Sequence, residues 1–465
     1  MPTLTESPAW RALQSHRQTM AHATIAQLFD AEPQRFEQFS AHLSGLLFDY
    51  SKNLVNADTL HLLGTLARER GLGERMRRLF NGEVVNLTEQ RPALHTALRG
   101  ERPVLVGGVD IMPQVRAVLE RMQSFSDGVR AGRITGHGGR RYTDVVNIGI
   151  GGSHLGPMMA VRALAPYAEG GPRVHFVSNI DVAAVERVLA PLDPAATLVI
   201  VASKTFSTVE TLANARTVRE WMTRALGADA ARQFIAVTAN EARAAEFGLG
   251  SEQIFPFWDW VGGRYSMWSA VGLPIALGCG MTAFRGMLRG AREVDEHFRN
   301  GAYEKSVPVL MALLGVWYNN FFGAESHAIL PYDESLALLP AYLQQLDMES
   351  SGKGVDEHGA AVACDTGPII WGAAGTDAQH SFFQLLHQGT RLVPADFIGV
   401  CQPHHAVEAH HAILLANFFA QTAALMNGAP HAANPHDRFP GNRPTNSLLL
   451  GRLTPHALGQ LVALY

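Results

Sequence analysis

Cysteine is nearly absent: three residues, Cys279, Cys364 and Cys401, are scattered over a chain of 465. That number and spacing exclude a disulfide framework and a CxxC metal knuckle, and leave buried, reduced thiols as the expectation. Charge is also sparse. Charged residues make up 17% of the chain, 38 basic against 42 acidic, for a net charge of -4. Without a basic field, nucleic acid and anionic lipid are excluded as partners. No apolar run reaches the ~18 residues of a membrane-spanning helix. The opening "MPTLTESPAW" has neither the basic nor the apolar part of a signal peptide, so a cytoplasmic setting is expected. Low-complexity segments and short repeats are missing too. What the chain does have is 47% hydrophobic content over a length that suits two or three globular units.

From Trp10 to about Arg99, apolar residues recur at helical spacing, as in "TIAQLFDAEPQRFEQFSAHLSGLLFDYSK", which predicts a helical N-terminal region. The glycine-rich "RITGHGGRRYTD" (133–144) then interrupts the helices. After it come "DVVNIGI" (144–150), "RVHFVSN" (173–179), "TLVIVAS" (197–203) and "FIAVTA" (234–239), with "QIFPFW" (253–258) as a possible fifth run. Each is almost continuously apolar, as strands covered on both faces are, and the spacers have room for crossover helices. From about 283 onward, helices near 306–321, 336–350, 376–387 and 406–427 alternate with strand candidates at 327–332, 368–372 and 396–401. The predicted fold class is α/β: two doubly wound parallel-sheet domains with additional N-terminal helices. The expected divisions are 1–120, packing on the second domain, then 121–282 and 283–465.

In open parallel sheets, ligands sit beyond the carboxyl ends of the strands, where helix N-termini aim N–H groups outward. "LVIVASKTFSTVET" (198–211) occupies such a place, with a helix expected to begin near Thr208. Ser203, Lys204, Thr205, Ser207 and Thr208 would converge on one point that suits a phosphate; otherwise they only cap a helix and a turn. "NIGIGGSHLGP" (147–157) is a second strand, glycine turn and helix start, with Gly152 and Ser153 at its tip. Counted from Gly149, the third glycine of a dinucleotide pattern falls on His154, which argues against a nicotinamide-dependent dehydrogenase. Two such loops in one sheet point to a small phosphoester.

Three further stretches can carry chemistry. "DWVGGRYSMWSAVGLP" (259–274) sets Arg264 after Gly262 and Gly263, as an ion-pair partner or as a fixed cation over a reacting oxygen. "QQLDMESSGKG" puts Gln345 and Glu349 on one helix face with Asp347 turned away. "GTDAQHSFFQLLHQG" has His380 at a helix start. The cluster His404, His405, Glu408, His410 and His411 lacks H-E-x-x-H spacing and is not read as a metal site.

The segments "DYSKN", "NLTEQRPALHTALR", "NIGIGGSHLGP", "ASKTFSTVET", "DWVGGRYSMWSAVGLP", "QQLDMESSGK", "GTDAQHSFFQLLHQG" and "FPGNRPTNSLLLGRLTPHALGQLVALY" together resemble the glucose-6-phosphate isomerase (phosphoglucose isomerase) family. The resemblance covers essentially the whole chain. It implies two sugar-isomerase (SIS-type) domains and reversible interconversion of glucose 6-phosphate and fructose 6-phosphate without metal or organic cofactor. It further implies a 6-phosphate cradle of Gly152, Ser153, Ser203, Lys204, Thr205, Ser207 and Thr208. Glu349 is implied as the base that shuttles a proton between C1 and C2, Arg264 as the stabiliser of a cis-enediolate, and Gly263 and Gln345 as sugar contacts. His380 would assist ring opening from the neighbouring subunit of a homodimer. A general base works best with its pKa near the working pH, so Glu349 is expected to be partly desolvated.

Two departures stand out. Ser207 and Val209 replace the family's usual Thr and Gln. The family's C-terminal glutamine and lysine have no counterpart after "LTPHALGQLVALY", so a C-terminal truncation is expected. A shortened chain raises one alternative, a module that binds a phosphosugar without turning it over.

Overall fold

A computed structural model describes residues 4–465. The N-terminal strands are β1 (Ser40–Leu43) and β2 (Leu46–Asp49), followed by the small hairpin β3 (Leu105–Val106) and β4 (Val109–Asp110). Next come β5 (Asp144–Ile148), β6 (Arg173–Val177), β7 (Thr197–Ala202), β8 (Phe234–Thr238) and β9 (Ile254–Pro256). The last four are β10 (Ser326–Tyr332), β11 (Ile369–Trp371), β12 (Ala395–Gln402) and β13 (Thr445–Arg452).

The chain divides into two compact units. A central unit comprises Arg77–Arg292 with Thr454–Gly459. A split unit comprises the chain up to Met76, Glu293–Leu453 and Gln460–Tyr465. These limits differ from the sequence-based divisions at 120 and 282, and the hydrogen bonds say why. Residues 94–123 are tied to the end of the central sheet by Leu94 N–H to Trp260 O (3.0 Å), Trp258 Nε1 to Gln114 Oε1 (3.0 Å) and Arg121 Nη2 to Glu252 O (2.7 Å).

The central sheet is fully parallel in the order β6-β5-β7-β8-β9. Every residue of β5, β7 and β8 is buried, which explains their unbroken apolar sequences. On one face, Val146, Ile148, Val199, Val201 and Phe234 pack with Val218 and Met222 of the crossover helix Val209–Leu226.

The split unit holds a six-stranded sheet, β1-β2-β13-β12-β10-β11, parallel from β13 to β11 and antiparallel at β2. Its N-terminal part corrects the helical expectation for residues 40–49. Gly45, at φ +76°, turns the chain, and the short segment that follows buries Leu46 and Phe48 against β13. Around this hairpin the expected helices are present, Pro8–Met20 and Ala57–Glu69 among them. At β12 and β10, Asp396 Oδ1 lies 3.0 Å from His327 Nε2, and Asn446 and Tyr465 donate to the same carboxylate.

Candidate active site

In the central unit the chain runs from β5 outward to β6 and then returns to place β7 on the other side of β5. The sheet therefore reverses its winding between β5 and β7, and their carboxyl ends border the crevice where this fold takes ligands. Both loops singled out in the sequence lie there.

After β7 the chain turns within six residues into the helix Val209–Leu226, with Thr208 at its N-cap. Phe206 makes the turn at φ +49° and is buried against Phe247, a strained conformation held by its ring packing. Among the described residues, none accepts a hydrogen bond from the backbone N–H of Lys204, Thr205, Ser207 or Thr208. The hydroxyls are arranged beside them, Ser203 Oγ at 3.2 Å from Thr208 Oγ1 and Ser207 Oγ donating to Thr205 Oγ1 at 2.8 Å. After β5, Ile150 leads into the tight turn Gly151–Ser153 and the helix Leu155–Ala163. The N–H groups of Gly151 and Gly152 likewise have no acceptor among the described residues. Unpaired backbone donors on both sides of a switch point favour an anion, as do the positive ends of the helix dipoles.

A third segment closes on these two. A Cβ on Gly152 would lie 1.9 Å from Gly263 O and 2.8 Å from Arg264 N, so only glycine lets the two loops touch. Arg264, half-buried, sets its guanidinium 5.1 Å above the Tyr265 ring. Tyr265 stacks on His95 (4.6 Å, 19°), and Arg99 lies over Trp268 at 4.7 Å. Burial, then the charges of Arg99 and Arg264, hold His95 neutral, with its pKa down to about 3. His95 and Arg99 carried no role in the sequence reading. No periodic signal marked them, because residues 92–100 form turns and not a helix.

Lys204 departs from its expected place. Its Nζ donates to the backbone oxygens of Asp259 (2.8 Å) and Val261 (3.0 Å), so the ammonium is spent on the loop before Gly263.

In the split unit, a π-helical turn, Gln344–Met348, precedes Glu349. Such turns are frequent at functional positions. Gln345 Nε2 donates to Glu349 Oε2 at 2.9 Å, in keeping with the shared face read from the sequence. The Glu349 side chain is exposed, unlike the partly desolvated setting expected, at the start of the short last turn Glu349–Ser351. Lys353 Nζ donates to the Glu349 carbonyl. His380 ends the turn Asp377–His380 and is exposed. A shallow groove of about 490 Å³ lies beyond it, lined by Ser381, Phe382, Gln384, Leu385, Gln388 and Gly389. It offers no carboxylate or cation and is not assigned the chemistry. Among the described residues, no group of three or more His, Cys, Asp or Glu side chains is arranged to hold a metal ion. No helix among them is long and apolar enough to cross a membrane.

A family model described as Phosphoglucose isomerase matches residues 49–465. The glucose-6-phosphate isomerase of Methylococcus capsulatus is 51% identical over 487 aligned residues, covering 100% of this chain and 89% of that protein. That of Chlorobium luteolum is 51% identical over 484, covering 99% and 88%. Among solved structures, a glucose-6-phosphate isomerase from Chlamydia trachomatis aligns at a TM-score of 0.91 with 32% identity, covering 100% of this chain and 90% of that one. A hypothetical protein from Thermus thermophilus aligns at 0.67 with 26% identity, covering 90% and 91%.

Proposed function

The chain belongs to the phosphoglucose isomerase family, and on that premise we propose that it is an enzyme interconverting D-glucose 6-phosphate and D-fructose 6-phosphate, with the 6-phosphate held at the β5–β7 switch point. The observation that carries the placement is the set of unpaired N–H groups at Gly151, Gly152, Lys204, Thr205, Ser207 and Thr208. Gly151, Gly152, Lys204 and Thr208 are buried or partly buried, where donors without partners are rare, while Thr205 and Ser207 are exposed, and a phosphate dianion satisfies several of the set at once. Each charge-assisted bond is worth roughly 1.5–3 kcal/mol, so a few of them anchor one end of a sugar and leave the other to react. Ser153, Ser203 and the hydroxyls of Thr205, Ser207 and Thr208 add donors to the same corner.

The chemistry moves a proton between neighbouring carbons. In the open-chain aldose, Glu349 takes the C2 proton, the C1 carbonyl oxygen gains the electron pair as an enediolate, the O2 hydroxyl proton passes to O1, and the proton held by Glu349 returns to C1 as the ketose carbonyl forms at C2. No net redox occurs. Arg264 offers a fixed cation for the oxygen charge, and Gly263 and Gln345 position the sugar. We assign ring opening to His380, donated by the second subunit of a homodimer. Its exposure is consistent with that placement. A cytoplasmic setting remains part of the same proposal.

The alternative of a non-catalytic binding module finds no support among the curated relatives, which are named as isomerases. The test is direct: incubate the purified chain with glucose 6-phosphate in deuterated water and follow fructose 6-phosphate and label at the exchanging carbon. Product with solvent label is expected. Phosphosugar binding without product or exchange, even at high protein concentration, would overturn the assignment.

A further inference from the structure

Lys204 sits in the middle of the phosphate corner, yet its side chain leaves it. The ammonium bonds two carbonyls of the 259–262 loop, Asp259 O at 2.8 Å and Val261 O at 3.0 Å. The same residue's carbonyl accepts from Ala239 N (3.0 Å) and from Thr238 Oγ1 (3.2 Å), at the end of β8. One residue thus ties together the end of β7, the end of β8 and the loop that follows β9. That loop delivers Gly263 and Arg264, and Gly263 lies directly against Gly152.

We propose that Lys204 is a positioning residue: its ammonium pins the 259–262 loop and so holds Gly263 and Arg264 in register with the phosphate corner, instead of gripping the phosphate itself. The role rests on the isomerase assignment above for Arg264 and the corner. Two of the three ammonium hydrogens are committed to carbonyls, whereas the Lys204 backbone N–H is left for the anion. Two further ties reach the loop, Arg91 Nη1 to Asp259 O (3.2 Å) and Leu94 N–H to Trp260 O (3.0 Å), but of these residues Lys204 alone bonds two of the loop's backbone carbonyls at once. Burial lowers the Lys204 pKa first, and the like charge of Arg91 adds to it, as befits an ammonium packed into a scaffold. A misplacement of about 1 Å at a reacting group can cost ~10²-fold in rate, so a pin far from the chemistry can govern turnover.

Phosphate affinity and turnover separate the two roles. Inorganic phosphate, used as a competitor of glucose 6-phosphate, reads the corner alone. Emission of the stacked pair Trp258–Trp260, 4.8 Å apart at 4° on either side of Asp259, reads the loop without ligand. For Lys204→Met the expected results are a kcat lowered ~10²-fold, an inhibition constant for inorganic phosphate within about threefold of the parent, as for any residue that makes no bond to the anion, and a changed tryptophan emission. Lys204→Cys, alkylated with 2-bromoethylamine to restore an ammonium of equal reach, should regain most of the parent kcat and emission. Alkylated parent protein controls for the exposed Cys401. If Lys204→Met does not fold, Lys204→Arg carries the same measurements, with parent-like phosphate inhibition and emission expected. Tenfold or greater loss of phosphate inhibition in any folded variant, with emission unchanged, would overturn the proposal. Should the parent chain prove inactive, the isomerase assignment fails, but phosphate binding and emission still decide whether Lys204 is a pin.

Discussion

The two sheets share a strand order and differ at the crevice that order creates. In the central unit the parallel strands run β6-β5-β7-β8, and in the split unit β11-β10-β12-β13, so each reverses its winding beside its first strand. Each also places an Asp–His pair near the amino ends of its strands, Asp144 with His175 at 2.8 Å and Asp396 with His327 at 3.0 Å. At the carboxyl ends the loops differ in their side chains. Beyond β7 the hydroxyl loop leaves the N–H groups of Lys204, Thr205, Ser207 and Thr208 without an acceptor among the described residues. Beyond β12 the loop 403–407 carries no hydroxyls and its imidazoles turn to backbone, His404 Nε2 to Leu453 O at 2.8 Å and His405 Nδ1 accepting from Val407 N–H, while His411 Nε2 meets Cys401 O; the N–H groups of His405 and Ala406 likewise have no acceptor among the described residues. Tyr332, the last residue of β10, is fully buried in the split unit's core against Phe397, and its hydroxyl accepts from Gln379 Nε2. Topology offers a ligand crevice twice, and only the loop beyond β7 sets a row of hydroxyls beside its unpaired N–H groups, which is why the anion is proposed there.

That contrast can be broken in several ways. The largest effect belongs to the split unit's carboxylate. Glu349→Gln should lower kcat by ~10²–10⁴-fold, the contribution of a general base, and leave inhibition by inorganic phosphate unchanged. Parent-rate proton exchange in that variant would show that another group is the base.

Next is the buried pair in the split sheet. Burial works against both charges, but each overcomes it for the other: His327 is raised and Asp396 lowered. The raised His327 stabilises the fold below its unfolded pKa and loses that contribution as pH climbs through its folded value. Lowered Asp396 contributes above its unfolded pKa and loses it as pH falls through its folded value. Removing one member of a buried pair typically costs ~3–5 kcal/mol. In thermal unfolding, the gap between parent and Asp396→Asn should therefore be widest between about pH 4 and 6.5, the two unfolded pKa values, and narrow on either side. A gap independent of pH would contradict the ion pair.

Gly152→Ala should cost about 10²-fold in kcat/KM, since its Cβ must push the 263–264 backbone away from the corner. A variant with parent kinetics would show that the loops need not touch. Smallest is the loop comparison itself. Thr208→Ala should weaken phosphate inhibition about 10- to 100-fold, one charge-assisted bond, whereas His405→Ala in the equivalent split-unit loop should change it less than about twofold. Equal effects in the two loops would erase the distinction.

Much of this was legible in the sequence. The strands β5 to β8 stood out because burial on both faces leaves an unbroken apolar signature, and the helix start at Thr208 followed from local capping chemistry. Gln345 and Glu349 met because helical spacing decides that by itself. What stayed hidden depends on partners far along the chain. The hairpin at 40–49 is too short to show its alternation inside a helical pattern, and β13, "TNSLLLGR", begins with polar residues buried only by its neighbours. Lys204 looked like a phosphate ligand because its long side chain can reach many acceptors, and only the fold shows that two carbonyls 55 and 57 residues away claim it. Exposure of Glu349 was equally beyond local pattern.

The most direct measurement is a crystal structure with glucose 6-phosphate bound. Phosphate oxygens are expected within hydrogen-bond distance of the N–H groups of Gly152 and Thr205 and of the Ser203 or Thr208 hydroxyl, with the Lys204 ammonium still on Asp259 and Val261. Phosphate bound at the split unit's crevice, or at neither, would contradict the assignment of the β5–β7 corner.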